Sequence, residues 1–362
     1  LHFEAAMGKQ VLYLNGKRVQ EHLGGYLPFT LDLTANGVQA GDSCLLAVYT
    51  DNSNDKSYPP GKPQYTLDFA YHGGIYRDVW MIAKSPVAIT DAIDSRTVGG
   101  GGVFVHFDKI SEKSAQVYVE TEIQNDNTRS ESVTIETTLT DAEGNVIKRT
   151  SGKLSLNSGE KKSIRQQMEV RNPKLWSPDA PYLYRVQSRI KKGNRSIDGG
   201  TTRIGIRLAE FRGKEGFWLN GKPYGKPLMG ANRHQDFAVV GNAVANSIHW
   251  RDAKKLKDLG LEVIRNAHCP QDPAFMDACD ELGLFVIVNT PGWQFWNDEP
   301  IFAKRVYNDI RNMVRRDRNH PCVWLWEPIL NETWYPEDFA GCVKGIVDEE
   351  YPYPSCYSGC DV

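Results

Sequence analysis

Apolar and polar positions alternate along roughly the first 210 residues, as they do in half-buried β-strands. Residues 115–123 place an apolar or β-branched side chain at every second position, with polar or aromatic ones between them. The apolar run 11–14 ends at Asn15–Gly16, a dipeptide that strongly favours a tight β-hairpin. Turn-forming residues recur about every ten positions, which is typical of β-sandwiches rather than of a parallel sheet.

The period changes after Arg207. Beyond a further hairpin at 217–221, short apolar runs alternate with stretches whose apolar residues share one helical face. One such face is predicted to carry Trp250, Ala253, Leu256 and Leu259, and a later one Phe302, Val306, Ile310 and Val314. The predicted strands lie near 227–231, 262–266, 284–288 and 322–326, with a fifth candidate at 354–358. This rhythm predicts a parallel sheet with helices outside it, as in the first half of an eight-stranded TIM barrel.

The change of period and one internal boundary divide the chain into three predicted domains. A segment at 86–90 and the glycine-rich loop 99–102 separate two β-sandwiches. We therefore expect a multidomain protein in which β domains precede an α/β domain. The predicted bounds are 1–86 and 87–207 for the two sandwiches and 208–362 for the parallel β/α domain.

The charge and the cysteine content exclude several classes of protein. Forty-three basic and 45 acidic side chains give a net charge of −2, which argues against nucleic acid or an anionic membrane as the main partner. No apolar stretch approaches the roughly 18–20 residues that span a bilayer. The seven cysteines are scattered without a Cys-x-x-Cys pair, so we expect buried free thiols rather than a zinc ribbon or a redox motif.

Polar side chains follow each of the first four predicted parallel strands. The carboxyl ends of such strands meet at one edge of the sheet, where active sites form, so we expect these side chains to lie close together. Many donors and acceptors suit a hydroxyl-rich ligand, and Trp293 or Trp334 could stack on the face of a sugar. The residues in question are 232–236, 265–268, 289–293, Glu327, Asn331 and Glu332.

Carboxylates at such an edge suggest glycoside hydrolysis, in which two of them flank the scissile bond. Glu332 is the best candidate for the acid. In a closed cleft, burial would favour the protonated form that it needs to donate to a leaving oxygen. We expect Glu327 to be structural or salt-bridged, and Glu349 and Glu350, at a predicted helix end, to be solvated.

Three motifs resemble glycoside hydrolase family 2, in the expected order and over nearly the whole chain. Residues 71–79 (YHGGIYRDV) resemble the end of the family's first domain, and 175–184 resemble its second domain. Residues 318–321 (RNHP), followed by Asn331–Glu332, resemble its acid/base signature. The resemblance implies a jelly-roll sandwich, an immunoglobulin-like sandwich and a TIM barrel, and a retaining exo-β-glycosidase activity.

The resemblance also implies roles for individual residues. Glu332 would be the general acid/base, Asn331 would hydrogen-bond the sugar 2-hydroxyl, and Arg265 would lie beneath the nucleophile. The other expected substrate-binding residues are Asn232, His234 and His268.

The segments 232–236 and 265–272 resemble the β-galactosidase branch of the family most closely. A β-glucuronidase, a β-mannosidase or a non-catalytic carbohydrate-binding fragment are the alternatives. Cys269 and the lead-in 326–330 depart from the usual family pattern, and they leave the sugar open.

Family members carry a glutamate nucleophile on a later barrel strand, and no counterpart of it precedes Val362. We therefore expect an internal part of a longer enzyme that begins inside its first sandwich. No redox cofactor is implied, although a Mg²⁺, Ca²⁺ or Na⁺ ion would be consistent with the resemblance. A carbohydrate is the expected partner, a homo-oligomer is left open, and a periplasmic or extracellular location is inferred only from the expected polysaccharide substrate.

Overall fold

The computed structural model describes residues 1–353 and a strand at 357–360. Its first part is a jelly-roll sandwich of two small antiparallel sheets that share one apolar core around Phe3, Leu12 and Phe29. The predicted hairpin is confirmed, since Asn15 and Gly16 both adopt positive φ, as a tight turn requires. The strands are β1 (His2–Phe3), β2 (Ala6–Leu14), β3 (Lys17–Gly24), β4 (Phe29–Thr30), β5 (Leu46–Asp51), β6 (Gly74–Ile75) and β7 (Val79–Trp80).

The two sheets of this sandwich have the strand orders β4-β1-β7 and β3-β2-β5, with β6 added to β2. A long loop, residues 52–73, joins β5 to β6 and contains one short 3₁₀ turn, Gln64–Thr66. This loop leaves the sandwich and packs against the parallel β/α domain, so it helps to form the site described below.

The second part is an immunoglobulin-like sandwich with the strand orders β13-β10-β8 and β12-β11-β14-β15, in which β9 also pairs with β10. The predicted alternation is confirmed over residues 115–121 of β10, where every second side chain is buried and those between are not. It fails at Glu122, which is buried beside Thr121 and Ile123. The strands are β8 (Val87–Ile89), β9 (Val103–Asp108), β10 (Ser114–Asn125), β11 (Glu131–Thr140), β12 (Val146–Leu156), β13 (Lys161–Arg171), β14 (Tyr184–Lys192) and β15 (Arg195–Ile204).

The third part begins with a three-stranded antiparallel sheet, β16 (Ala209–Phe211), β17 (Phe217–Leu219) and β18 (Lys222–Pro223). A 3₁₀ turn, Gly213–Glu215, lies between its first two strands. A parallel sheet then runs in chain order, as the strands of a TIM barrel do. Its elements are β19 (Gly230–Arg233), α1 (Asn246–Asp258), β20 (Val263–Asn266), α2 (Pro273–Leu282), β21 (Phe285–Asn289), α3 (Pro300–Asp317), β22 (Val323–Ile329), α4 (Glu337–Glu350) and β23 (Tyr357–Cys360).

The four predicted parallel strands are confirmed with small shifts of their ends. The fifth candidate, 354–358, overlaps β23, and its first three residues lie outside the described part of the chain. Strands β20 and β21 are buried along most of their length because α1, α2 and α3 cover the outer face of the sheet.

Helix α3 buries the predicted face, with Phe302, Val306, Ile310 and Val314 all in the core. The predicted face of α1 is wrong at two positions, since Trp250 and Leu259 are 42% and 78% exposed. The buried side of α1 instead carries His249, which contacts the buried Arg233 guanidinium. The buried side of α1 thus combines Ala253 and Leu256 of the predicted face with this polar contact.

The expectation for Glu350 is also wrong. This residue ends α4 in a fully buried position, where its carboxylate accepts two hydrogen bonds from Arg315 of α3, at 2.9 and 2.6 Å. The two helices thus bury this ion pair between them. The sequence of either helix alone does not predict it, because the two partners lie on different helices. Among the helices of the described residues, none combines the length and apolar character needed to cross a bilayer.

Candidate active site

The carboxyl ends of β20, β21 and β22 meet in a buried ionic cluster. Arg265 donates from Nε to one oxygen of Glu327 at 2.8 Å and from Nη2 to the other at 2.5 Å. The side-chain amide of Asn289 donates to the same carboxylate, which is only 5% exposed. The expected salt bridge of Glu327 is therefore confirmed, and it lies inside the strand-end cluster rather than away from it.

The same guanidinium also orients Asn331. Arg265 donates a further hydrogen bond from Nη2 to Oδ1 of Asn331, at 2.8 Å. Because a guanidinium can only donate, the Asn331 carbonyl must face Arg265 and its NH₂ group is left for another acceptor. Arg265 thus connects the end of β20 with the loop after β22.

Glu332 follows in a left-handed backbone conformation, with φ of 57°. Non-glycine residues adopt this conformation rarely, and such outliers concentrate at functional sites. The Gln294 amide donates a hydrogen bond to its carboxylate. The carboxylate is otherwise exposed, so the described residues do not supply the closed cleft that we expected around it.

His234 and His268 lie in an aromatic group beside this cluster. The His268 ring is parallel to that of Trp293, with centroids 5.0 Å apart, and Phe69 lies 5.1 Å from His234 and 6.0 Å from His268. Phe69 belongs to the loop 52–73 of the first sandwich, so that domain forms one wall of the group.

Both histidines are neutral at neutral pH. Burial, with the nearby charge of Arg265 and the His234 ring, lowers the pKa of His268 to about 3. Burial also lowers the pKa of His234, against the opposing charges of Asp236 and Asp68. A neutral imidazole can donate from one nitrogen and accept at the other, which suits sugar hydroxyls.

The structure brings some predicted residues together and separates others. Arg265 of β20 and Asn331, in the loop after β22, meet across the end of β21, and Glu332 follows Asn331. Asn232 is the register partner of Arg265 across β19 and β20. Trp293 is only 9% exposed, because His268, Phe69 and Lys62 surround its ring. Trp334, by contrast, is 92% exposed.

Sequence reasoning missed three residues of the site, which are Lys62, Phe69 and Gln294. Gln294 lies one residue beyond the strand-end segment 289–293, and a longer reading of that loop would have included it. Nothing in the local sequence connects Lys62 or Phe69 with strands that begin more than 150 residues later.

One group in the described part of the chain, Asp280, His320 and Cys322, has potential metal ligands within 4.8 Å of one another. It lies at the amino end of β22, opposite the site. Asp280 already binds His320 at 2.6 Å and accepts from the backbone of Cys322 at 2.9 Å. Burial and the charge of Asp280 raise the pKa of the Cys322 thiol. The contacts of Asp280 thus join α2 to the start of β22.

Carboxylate and amide side chains at the ends of parallel barrel strands, behind two β-sandwiches, are the arrangement of a TIM-barrel glycoside hydrolase. The model of glycosyl hydrolases family 2 matches residues 101–207, and that of the family's TIM barrel domain matches residues 210–348. The chain belongs to glycosyl hydrolases family 2.

Relatives of this family align over most of the chain. A β-galactosidase of Thermoanaerobacter pseudethanolicus is 35% identical over 94% of this chain and 43% of its own length. A β-glucuronidase of Formosa agariphila is 29% identical over 90% of this chain and 33% of its own length. The chain thus spans less than half the length of these two relatives.

Solved structures show the same architecture. β-Glucuronidase 2 of Bacteroides uniformis, covalently bound to cyclophellitol-6-carboxylate aziridine, superposes with a TM-score of 0.88 at 28% identity, over 99% of this chain and 44% of its own. A putative β-galactosidase of Bacteroides fragilis superposes with a TM-score of 0.87 at 26% identity, over 99% of this chain and 52% of its own.

Proposed function

We propose that the protein is a retaining exo-β-glycosidase with Glu332 as its general acid/base and a terminal β-galactoside as its substrate. The observation that carries this proposal is the Asn331–Glu332 pair at the end of β22, in which Arg265 turns the Asn331 amide outward as a donor. A donor beside the acid is what recognition of the sugar 2-hydroxyl needs.

In the first step, Glu332 protonates the glycosidic oxygen while a second carboxylate attacks the anomeric carbon. Glu332 then acts as the base for the incoming water, and the two carboxyl groups lie about 5–5.5 Å apart in retaining enzymes. Glu327 is unsuited to the attack, since Arg265 and Asn289 occupy both of its oxygens. The resemblance to the family implies a glutamate nucleophile on a later barrel strand, so we assign the attack to a carboxylate outside the described residues.

The neutral histidines complete the proposed sugar site. Because His234 and His268 have no charge at neutral pH, they would form hydrogen bonds with hydroxyl groups of the sugar. Phe69, beside His234, would contact an apolar face of the same sugar. Asn232 would bind substrate from the end of β19.

Replacing Glu332 tests the proposed acid. In the natural protein, Glu332→Gln should reduce kcat/KM for glycosides with poor leaving groups by roughly 10²–10⁴-fold, the range that general acid catalysis contributes. Activated aryl glycosides should lose far less in the first step, because their leaving groups need no protonation. Glu337→Gln, at the exposed start of α4, is the matched control. An equal loss on both substrate types would contradict the assignment.

A panel of aryl β-glycosides tests the sugar. Similarity to a β-galactosidase supports a galactoside as the substrate of this protein. A β-glucuronidase structure that superposes over 99% of the chain supports a glucuronide as the second candidate. A higher kcat/KM on the glucuronide would replace the first candidate by the second. Calorimetric binding of galactosides without turnover would support a non-catalytic carbohydrate-binding protein instead.

A further inference from the structure

We propose that Lys62, carried by the first sandwich, is a positioning residue for Glu332 and acts on it through Gln294. This inference rests on the proposed function, because it assigns a role in the alignment of the general acid. Its basis is a continuous chain of hydrogen bonds from one domain to the other.

The loop that carries Lys62 is fixed to the barrel at several points. Arg305 of α3 donates to the backbone carbonyl of Ser57 at 2.5 Å, and Asn297 donates to that of Lys56 at 2.7 Å. Gly61 has a positive φ of 72° and lies so close to Phe295 that a Cβ atom would be 2.4 Å from the ring. A glycine is therefore required next to Lys62, and the loop cannot move far from the barrel.

The hydrogen bonds of Gln294 have a defined direction. Lys62 Nζ donates to Gln294 Oε1, and Gln294 Nε2 donates to a carboxylate oxygen of Glu332. An ammonium group can only donate, so the amide cannot be flipped without placing its NH₂ against Lys62 and its oxygen against Glu332. The charge of Lys62 thus selects the amide orientation that binds the acid.

Lys62 and Gln294 are each held by a further contact. The Lys62 ammonium lies 4.3 Å from the centroid of the Trp293 ring, a cation–π contact. The backbone N–H of Gln294 donates to Thr333 Oγ1 at 3.1 Å, directly beside Glu332. Gln294 consequently connects the loop after β21 with the loop that bears the acid.

An acid that transfers a proton must point at the leaving oxygen, and small errors of position are costly. Without Lys62, the Gln294 amide could rotate and Glu332 would lose its fixed partner. The proton transfer should suffer, while attack on an activated glycoside should not.

The test compares Lys62→Met with Lys56→Met in the natural protein. Lys56 is an exposed residue of the same loop, and only its backbone carbonyl contacts the barrel. We expect Lys62→Met to lower kcat/KM roughly 10- to 100-fold for poor leaving groups and less than about 3-fold for a dinitrophenyl glycoside. Lys56→Met should match the wild type on both, and Lys62→Arg should restore part of the loss.

A double-mutant cycle shows whether the effect passes through Gln294. If it does, Lys62→Met together with Gln294→Ala should be no slower than Gln294→Ala alone. Additive losses, or an equal loss on all leaving groups, would overturn the inference. A wild-type protein without glycosidase activity would overturn the proposed function itself. An active wild type matched by Lys62→Met would overturn only the role of Lys62.

Discussion

Arg265 is the residue on which the described part of the site depends. Its guanidinium binds both oxygens of Glu327 and the carbonyl of Asn331, so a single side chain fixes an ion pair and the direction of an amide. Charged hydrogen bonds of this kind contribute about 1.5–3 kcal/mol each. In the proposed function, Glu327 would therefore contribute to recognition of the sugar without touching it.

Glu327→Gln should weaken recognition of the sugar 2-hydroxyl. The substitution keeps the size of the side chain but turns an NH₂ group toward donors on Arg265 or Asn289, so Arg265 loses its fixed position. We expect kcat/KM for a β-galactoside to fall roughly 10-fold or more, and that for its 2-deoxy analogue to fall less.

Steady-state kinetics on both substrates measure this difference. Glu210→Gln, which alters a surface pair with Arg212, is the matched control and should have no effect. Equal losses on the two substrates would show that Glu327 supports the fold and not the orientation of Asn331.

At the scale of single residues, the sequence predicted which polar side chains lie at the carboxyl ends of the parallel strands. Arg265, Asn331 and Glu332 were predicted to lie close together because parallel strands share one edge, and in the structure they do. Lys62 and Phe69 could not be found, since they lie on a loop whose docking depends on long-range contacts such as that of Gly61 with Phe295. The exposure of Glu332 was missed for a related reason, because burial depends on every segment around a residue.

At the scale of elements, periodicity located the strands and helices well but placed two residues of one helical face, Trp250 and Leu259, wrongly in the core. The buried face of α3 is apolar and followed the 3.6-residue period. The buried face of α1 includes His249, which a search for apolar residues overlooks. Glu350 on α4 shows the same limit, because its partner Arg315 belongs to another helix.

The connection between α2 and β22 gives a prediction for stability. Burial lowers the pKa of His320, but the charge and hydrogen bond of Asp280 outweigh this effect and raise that pKa from 6.5 to about 9. Protonated His320 therefore stabilises the fold fully below about pH 6.5 and loses this contribution as the pH rises toward 9. At about 1.4 kcal/mol per pKa unit, the loss is on the order of 2–3 kcal/mol.

Urea unfolding between pH 7 and pH 9, followed by tryptophan fluorescence, measures this loss. His320→Gln should remove most of the slope of the unfolding free energy with pH. His22→Gln is the control, because burial lowers the pKa of His22 to about 4 and this residue is neutral throughout that range. A slope that persists in His320→Gln would assign it to other groups.

At the scale of the whole molecule, buried arginines join the domains through backbone carbonyls. Arg318 of the barrel donates to the carbonyls of Gly100 and Gly101 in the glycine-rich loop at 2.7 and 2.6 Å, which holds that loop against the barrel. Arg207 donates to Pro321 at 2.5 Å. The sequence predicted that the loop 99–102 separates two sandwiches, and this is wrong, because the loop joins β8 and β9, which both pair with β10 of the second sandwich. In the structure it also contacts the barrel.

Arg77, from the motif at 71–79, forms the corresponding connection between the first sandwich and the barrel. It donates to Tyr26 within its own domain, at 2.9 Å, and to Gln235 and Pro270 of the barrel, at 2.9 and 2.8 Å. Its side chain is fully buried, 3.6 Å from Asp272. Removing it would leave several buried acceptors unpaired at one interface.

Arg77→Met should therefore uncouple the first sandwich from the barrel. We expect a loss of about 3–5 kcal/mol, the cost of removing one partner of a buried charged group. Calorimetry should show the first sandwich unfolding in a separate, earlier transition, and proteases should cut the loop 52–73 sooner. Arg18→Met, which breaks an exposed pair with Glu21, should cost less than about 1 kcal/mol. Because Lys62 lies on the loop 52–73, Arg77→Met should also lower activity on glycosides with poor leaving groups. A single unfolding transition at the temperature of the Arg18→Met control would refute the coupling.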